Sequence, residues 1–247
     1  MSVKVKDVVI GEGKPKVCLP IVGRTFEEVV EQASSFKDVD FDVVELRIDF
    51  FEDLLDVNTL MRLLKEVRSL ISQPILFTYR STREGGEIEL SDEDYEYLCQ
   101  IAITSSYIDM IDVELLYGDD IVMDIVDMAH GYDVKVVMSN HDFKSTPDDE
   151  TIISRIEKMV SLEADLCKVA YMPESKDDVI RLLNLTYNMS SKIASPLITM
   201  SMGDLGILSR VSGSLFGCAL TFGCKGKASA PGQINVDDLN KILEVLG

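Results

Sequence analysis

The sequence predicts an α/β protein folded as one (β/α)8 TIM barrel, with an N-terminal β-hairpin capping the barrel bottom. Strand-like apolar runs alternate with helical patterns along nearly all of the 247 residues, and eight such units follow one another without a long linker. Alternation of this kind implies a parallel sheet covered by helices, and about 250 residues is the usual length of a closed eightfold barrel. A doubly wound open sheet is the structural alternative. With no boundary in composition or patterning, residues 1–247 read as a single domain.

Residues 3–10 alternate apolar and polar side chains ahead of Gly11-Glu-Gly13, the pattern of the small hairpin. The strands then fall at residues 16–22, 42–49, 74–81, 107–115, 135–143, 164–173, 195–202 and 218–224. Between them, sets such as Phe26, Val29, Val30 and Ala33, or Leu60, Leu63, Leu64 and Val67, recur at helical spacing. Helix starts are marked by Thr25 with Glu28, Ser91 with Asp94, Ser175 with Asp178 and Asn235 with Asp238. Thr146-Pro147 reads as an N-cap followed by proline in the first turn.

Composition removes several classes of function. Against 24 Lys and Arg stand 43 Asp and Glu, a formal charge of −19 that repels nucleic acid and anionic lipid. No apolar run reaches the roughly 18 residues a membrane span needs, and the first residues lack a signal-peptide pattern. Five scattered cysteines without paired spacing read as reduced, mostly buried thiols of a cytoplasmic protein. A small anionic substrate would have to be gripped by local arginines.

Strand parity points to the chemistry. On the sixth strand Leu166, Lys168, Ala170 and Met172 share one face and Cys167, Val169 and Tyr171 the other. An ammonium buried in an apolar row is costly, which favours the neutral, nucleophilic amine; a lysine paired with a carboxylate fits the same strand. On the second strand Val43, Glu45, Arg47 and Asp49 oppose Val44, Leu46 and Ile48, which suit packing against helices. Leu76, Thr78 and Arg80 face inward on the third, and Val137, Ser139 and His141 on the fifth. Met110, Asp112 and Glu114 share a face of the fourth, Met200 and Met202 one of the seventh, and Phe222 ends the eighth. Charges near the C-terminal ends of barrel strands mark the active-site end of this fold. Arg47, Arg80, Arg210, Glu45, a histidine and a lysine describe a pocket for a small, polyhydroxylated carboxylate. Gly85-Gly86 lacks the Lys-Ser/Thr of a phosphate loop, and His130 and His141 lack metal-ligand spacing. His130, in the last turn of a predicted helix, reads as structural.

The same segments carry a resemblance over essentially the whole chain. Glu45-Leu-Arg-Ile-Asp49, Tyr79-Arg-Ser81 through Glu84-Gly-Gly-Glu87, Ser139-Asn-His-Asp-Phe143, Lys168-Val-Ala170, Met200-Ser-Met-Gly203, Ser209-Arg210 and Ser229-Ala-Pro-Gly-Gln233 resemble the type I 3-dehydroquinate dehydratases, Schiff-base lyases of the shikimate pathway. The resemblance implies that Lys168 forms an imine with the ketone of 3-dehydroquinate, with no cofactor or metal. It implies His141 as general base and acid, Glu84 as its orienting carboxylate, and Arg210 as the grip on the substrate carboxylate. Glu45, Arg47 and Arg80 would contact ring hydroxyls or fix neighbouring groups, and Met200, Met202 and Phe222 would form an apolar wall. Ser229 and Gln233 belong to a segment, residues 226–232 and just beyond, that resembles a lid. A homodimer is implied by the same likeness.

Two positions depart from the family pattern. Pro20 stands where many relatives carry a serine on the first strand, and Ser214 follows Gly213 where a glutamate is expected. Two other readings compete. A class I aldolase accounts for Lys168 but not for the Ser-Asn-His-Asp-Phe and Ser-Ala-Pro-Gly-Gln segments. A noncatalytic sensor of shikimate-pathway metabolites would lack the lysine or histidine, or carry a DNA-binding segment.

Overall fold

The computed structural model describes residues 2–226 and 228–247; Met1, and Lys227 within the expected lid, lie outside the described residues. The chain opens with an antiparallel hairpin of β1 (Val3–Val5) and β2 (Val8–Ile10). Strand–helix units follow: β3 (Lys16–Ile21) with α1 (Phe26–Ser34), β4 (Val43–Arg47) with α2 (Val57–Leu70), and β5 (Ile75–Thr78) with α3 (Asp92–Thr104). They continue as β6 (Met110–Glu114) with α4 (Asp119–Gly131), β7 (Lys135–Asp142) with α5 (Asp149–Ser161), and β8 (Leu166–Tyr171) with α6 (Lys176–Ser190). The last two are β9 (Leu197–Ser201) with the short α7 (Ile207–Val211) and α8 (Gly213–Phe216), then β10 (Leu220–Cys224), the two-residue β11 (Ile234–Asn235) and α9 (Val236–Leu246).

Strands β3 to β9 pair in sequence, all parallel, and β10 returns to pair with β3. The seam between β9 and β10 is narrow: a bridge joins Leu197 to Cys218, and the Ala219 N–H donates to the Leu197 carbonyl at 2.7 Å. The sheet thus curls round on itself, and the open doubly wound alternative is set aside. All eight expected strands are present, with ends trimmed by a few residues.

Inward and outward rows separate as parity requires. Val44, Leu46, Ile75, Phe77, Ile111, Val136 and Cys167 point outward and pack with the helices into one large core. A second core lies inside the barrel, where Cys18, Val43, Leu76, Met110, Val137, Leu166 and Leu220 meet Val5 and Ile10 of the hairpin. These residues lie low in the barrel, near the N-terminal ends of their strands, so the hairpin closes that end. Two residues further up, the inward positions become Glu45, Thr78, Asp112, Ser139 and Lys168, all buried. The barrel is therefore sealed by hydrocarbon below and filled with charge above.

Most caps form as expected: Thr25, Ser91 and Ser175 each accept from the backbone N–H three residues on, and Ser175 and Asp178 make a full capping box. Asn235 accepts instead from Asp237 N, at 3.0 Å. The expected start at Thr146-Pro147 is displaced. Asp148 caps α5 by accepting from Thr151 N at 2.8 Å, while Thr146 Oγ1 turns away to the Met172 carbonyl. A carboxylate one residue past the proline outcompetes the threonine as a cap. His130 lies in the last turn of α4 and its Nε2 meets Asp165 at 3.0 Å, the structural role expected. All five cysteines are buried free thiols.

The plug generates a prediction. Ile10 is fully buried, so Ile10→Ala should cost about 2–5 kcal/mol in stability. Denaturant unfolding would show it, and a loss under about 1 kcal/mol would mean the hairpin is not part of the cooperative core.

Candidate active site

One cavity opens at the C-terminal end of the strands. It is lined by Lys168 and Ala170 from β8, Glu45 and Arg47 from β4, and His141 from β7, with Phe143 just beyond it. Arg80 and Glu84 follow β5, Met200 and Met202 come from β9 and its end, and Phe222 from β10. Ser229, Ala230 and Gln233 cover it. Of the residues expected at the site, only Arg210 lies outside this lining; it touches Met200, with Nη1 3.7 Å from Sδ.

Lys168 is 4% exposed, and its surroundings are more polar than its own strand suggests. Its Nζ donates to Glu45 Oε1 at 3.2 Å and Asp112 Oδ2 at 3.0 Å, and lies 4.7 Å from the centre of the Phe222 ring. Asp112 in turn takes a hydrogen bond from Ser139 Oγ at 2.6 Å and an ion pair from Arg80 Nη2 at 2.8 Å. Arg80 Nη1 donates to Glu114 Oε1 at 2.8 Å and Ser139 Oγ at 2.9 Å. These carboxylates raise the affinity of the Arg80 guanidinium for its proton despite burial, and Arg80 and Lys168 hold Asp112 below the usual carboxylate range even though burial opposes them. Asp112 and Glu114 are legible as one face of the fourth strand; their partners are not, because the pairings cross from strand to strand.

His141 meets Glu84 twice: the backbone N–H at 2.9 Å and Nδ1 at 2.8 Å, both on Oε2. The other oxygen, Oε1, accepts from Asn140 Nδ2 at 2.9 Å. Glu84 reaches this place through the Gly85-Gly86 turn. Gly85 has φ of +89°, where a side chain would strike the Phe143 ring, and a Cβ on Gly86 would collide with the Arg80 carbonyl. Burial, with Arg80, Lys168 and Arg47 nearby, drives the His141 ring well below its ordinary value. Burial and Glu114 raise the Glu84 carboxyl. Both shifts oppose a charge-separated imidazolium–carboxylate pair and favour the neutral ring. The Asn140 amide and the His141 backbone N–H both donate to Glu84, a setting that favours the tautomer with its proton on Nδ1 and its lone pair on Nε2.

Arg47 is tied rather than available. Its Nε and Nη2 form a fork on the buried Asp49 at 2.8 and 2.9 Å, leaving Nη1 to reach the Ser229 carbonyl at 3.5 Å. Arg210 is the opposite case. It is 1% exposed, donates Nη2 to the Pro231 carbonyl at 2.8 Å, leaves Nε without a partner, and forms no ion pair among the described residues. Burial pushes its guanidinium down to about 10. The covering loop is held by Pro231, whose carbonyl also accepts from Gly203 N at 3.2 Å. Within it, Gln233 brackets Ser229, taking its N–H at 2.9 Å and donating to Oγ at 3.0 Å.

The two departures fall away from this chemistry. Pro20 is paired with Glu45 in the β3–β4 register but does not line the cavity, and Ser214 sits in a separate hollow with Gly11 and Gly13.

Comparison with known proteins agrees with this architecture. A family model described as type I 3-dehydroquinase matches residues 17–247. The chain is 48% identical over 246 residues to a 3-dehydroquinate dehydratase of Listeria welshimeri, covering 99% of this chain and 98% of that one. A type I 3-dehydroquinate dehydratase from Clostridium difficile, solved with covalent modified comenic acid, superposes with a TM-score of 0.96 at 44% identity, covering 100% and 98% of the two chains. A 3-dehydroquinate dehydratase from Geobacillus kaustophilus gives 0.97 at 38% identity, covering 100% and 96%.

The environment of His141 predicts its titration. A base whose folded value is depressed stays neutral as pH falls and takes up its proton only below the ordinary 6.5. Following the His141 ring nitrogens by NMR should place the transition below 6.5; a midpoint at or above 6.5 would contradict the site electrostatics.

Proposed function

The chain belongs to the type I 3-dehydroquinase family of carbon–oxygen lyases, and from that membership we propose that it converts 3-dehydroquinate to 3-dehydroshikimate through an imine on Lys168, within the shikimate pathway. The observation that carries the reading is one buried lysine amine and one imidazole lining the same cavity, the imidazole held by Glu84.

The steps follow from these groups. Lys168 Nζ, its ammonium proton passed to a neighbouring base, attacks the C3 ketone, and that proton returns as the carbinolamine oxygen leaves as water, giving a protonated imine. The imine draws electrons from C2, so the C2–H bond can break towards His141 Nε2. The C1–O bond then breaks as the enamine electrons move into the C1–C2 bond, and His141 returns its proton to the departing hydroxyl. Hydrolysis of the imine frees the product and restores Nζ. Arg210, buried without a counterion among the described residues, receives the substrate carboxylate, while Gln233 and Ser229 close the cavity from above. Arg47 and Arg80, saturated by Asp49, Asp112 and Glu114, act mainly by fixing their neighbours. The covalent modified comenic acid of the Clostridium difficile relative supports a nucleophile in such sites. A cytoplasmic setting and a homodimer belong to the same proposal, on family likeness alone.

Intact-protein mass after 3-dehydroquinate and borohydride tests the chemistry. Wild-type protein should carry an adduct at Lys168 that has lost one water relative to reduced substrate, and Lys168→Ala should carry none and turn nothing over. His141→Ala should still trap substrate, with turnover lower by roughly 10²–10⁴ or more. Turnover in Lys168→Ala at the wild-type rate would sink the imine.

Arg210→Met should act on binding instead. Losing charge-assisted hydrogen bonds worth about 1.5–3 kcal/mol raises KM by roughly 10–100-fold with kcat little changed. Steady-state kinetics showing an unchanged KM would remove Arg210 from the substrate carboxylate.

A further inference from the structure

Asn140 breaks a pattern. The outward face of β7 runs Val136, Met138, Asn140; the first two pack into the helix-facing core, and the third, 1% exposed, is an amide. Its carbonyl oxygen accepts from Arg155 Nη1 of α5 at 2.8 Å and from the Tyr171 hydroxyl, at the end of β8, at 3.0 Å. A guanidinium has no acceptor, so the amide cannot be turned round: the oxygen must face Arg155 and the NH2 must face Glu84. Nδ2 donates to Glu84 Oε1 at 2.9 Å, which leaves Oε2 for the two His141 contacts.

We infer that Asn140 is a positioning residue for the His141–Glu84 pair, its amide aligned by Arg155 and Tyr171 so that it can only donate to Glu84. This rests on the acid–base role proposed for His141. Arg155 polarises the amide from behind, which strengthens the N–H offered to the carboxylate. The carboxylate, held on both oxygens, keeps its plane and its acceptor character and so fixes the ring tautomer with Nε2 as the base. A helix on the outside of the barrel thereby reaches a proton-transfer group on the inside through one strand. Remove the amide, and the buried Oε1 loses its donor. The unprotonated pair is then less stable, and it takes up a proton at higher pH.

The test compares kcat, KM and the pH profile of kcat/KM for wild-type, Asn140→Leu, Tyr171→Phe and Arg155→Leu enzymes, with borohydride trapping at saturating 3-dehydroquinate. Asn140→Leu should lower kcat by roughly 10²-fold, the low end for a positioned acid–base group, and leave KM within about threefold. It should move the acid limb to higher pH and trap imine as fully as wild type. Tyr171→Phe and Arg155→Leu should move the limb in the same direction by less, and neither should add to Asn140→Leu, because all three act through one amide. A wild-type limb and kcat in Asn140→Leu, or effects that simply add, would overturn the assignment. Should Asn140→Leu not fold, Tyr171→Phe and Arg155→Leu decide: an unchanged limb in both overturns it, and an upward shift in both supports it. A wild-type enzyme that turns over without trapping any imine would sink the Schiff-base reading, while the pH comparison would still decide the role of Asn140.

Discussion

Asp112 is the carboxylate on which the interior of this barrel depends. It is fully buried, and it binds Lys168 with one oxygen and Arg80 and Ser139 with the other. A lone ion in such a place would be prohibitively costly, and stripping one partner from a buried pair typically costs about 3–5 kcal/mol. Each cation here therefore needs Asp112, and Asp112 needs both. The consequence is geometric as much as energetic. A long lysine side chain with many rotamers is aimed at one point, and a guanidinium is turned so that its other nitrogen reaches Glu114 and Ser139.

That set survives because of what lies below it. Each of these inward rows carries an apolar residue low in the barrel, Val43, Leu76, Met110, Val137 or Leu166, in one cluster with Val5 and Ile10, and the next inward position is polar. The hairpin keeps water from entering beneath the charges, and a lower local dielectric strengthens every pairing above it. The hydrocarbon plug and the ionic layer are successive positions on the same strands.

Much of this is legible in the sequence, because a strand buried on both faces has a period of two and a barrel gives each face a distinct neighbour. The inward placement of Glu45, Arg47, Arg80, His141 and Lys168 follows from that alone. Contacts between strands are what one strand cannot reveal. The Lys168 row reads as apolar because its two carboxylates, Glu45 and Asp112, come from other strands. The parity that places His141 inside puts Asn140 on the helix side, yet Asn140 touches Glu84 because the Gly85-Gly86 turn folds that residue down beside β7. The start of α5 departs from expectation because Thr146 and Asp148 are both capping residues: the carboxylate is the stronger cap, and the Met172 carbonyl, distant in sequence, engages the threonine instead.

The cations of the site are not treated alike, and for the proposed reaction the difference would orient the substrate. Around Lys168 and Arg80 the carboxylates Glu45, Asp112, Glu114 and Glu84 crowd the barrel, whereas Arg210 has no ion-pair partner among the described residues and an unpaired Nε. On the proposed chemistry, an entering carboxylate group would be repelled where the carboxylates cluster and would gain at Arg210, so it would settle at that end. A ketone carries no charge and loses nothing by approaching Lys168. In a protein whose formal charge of −19 repels anions at a distance, this local contrast would do the sorting for the proposed reaction, bringing the carbonyl to the amine before any covalent step.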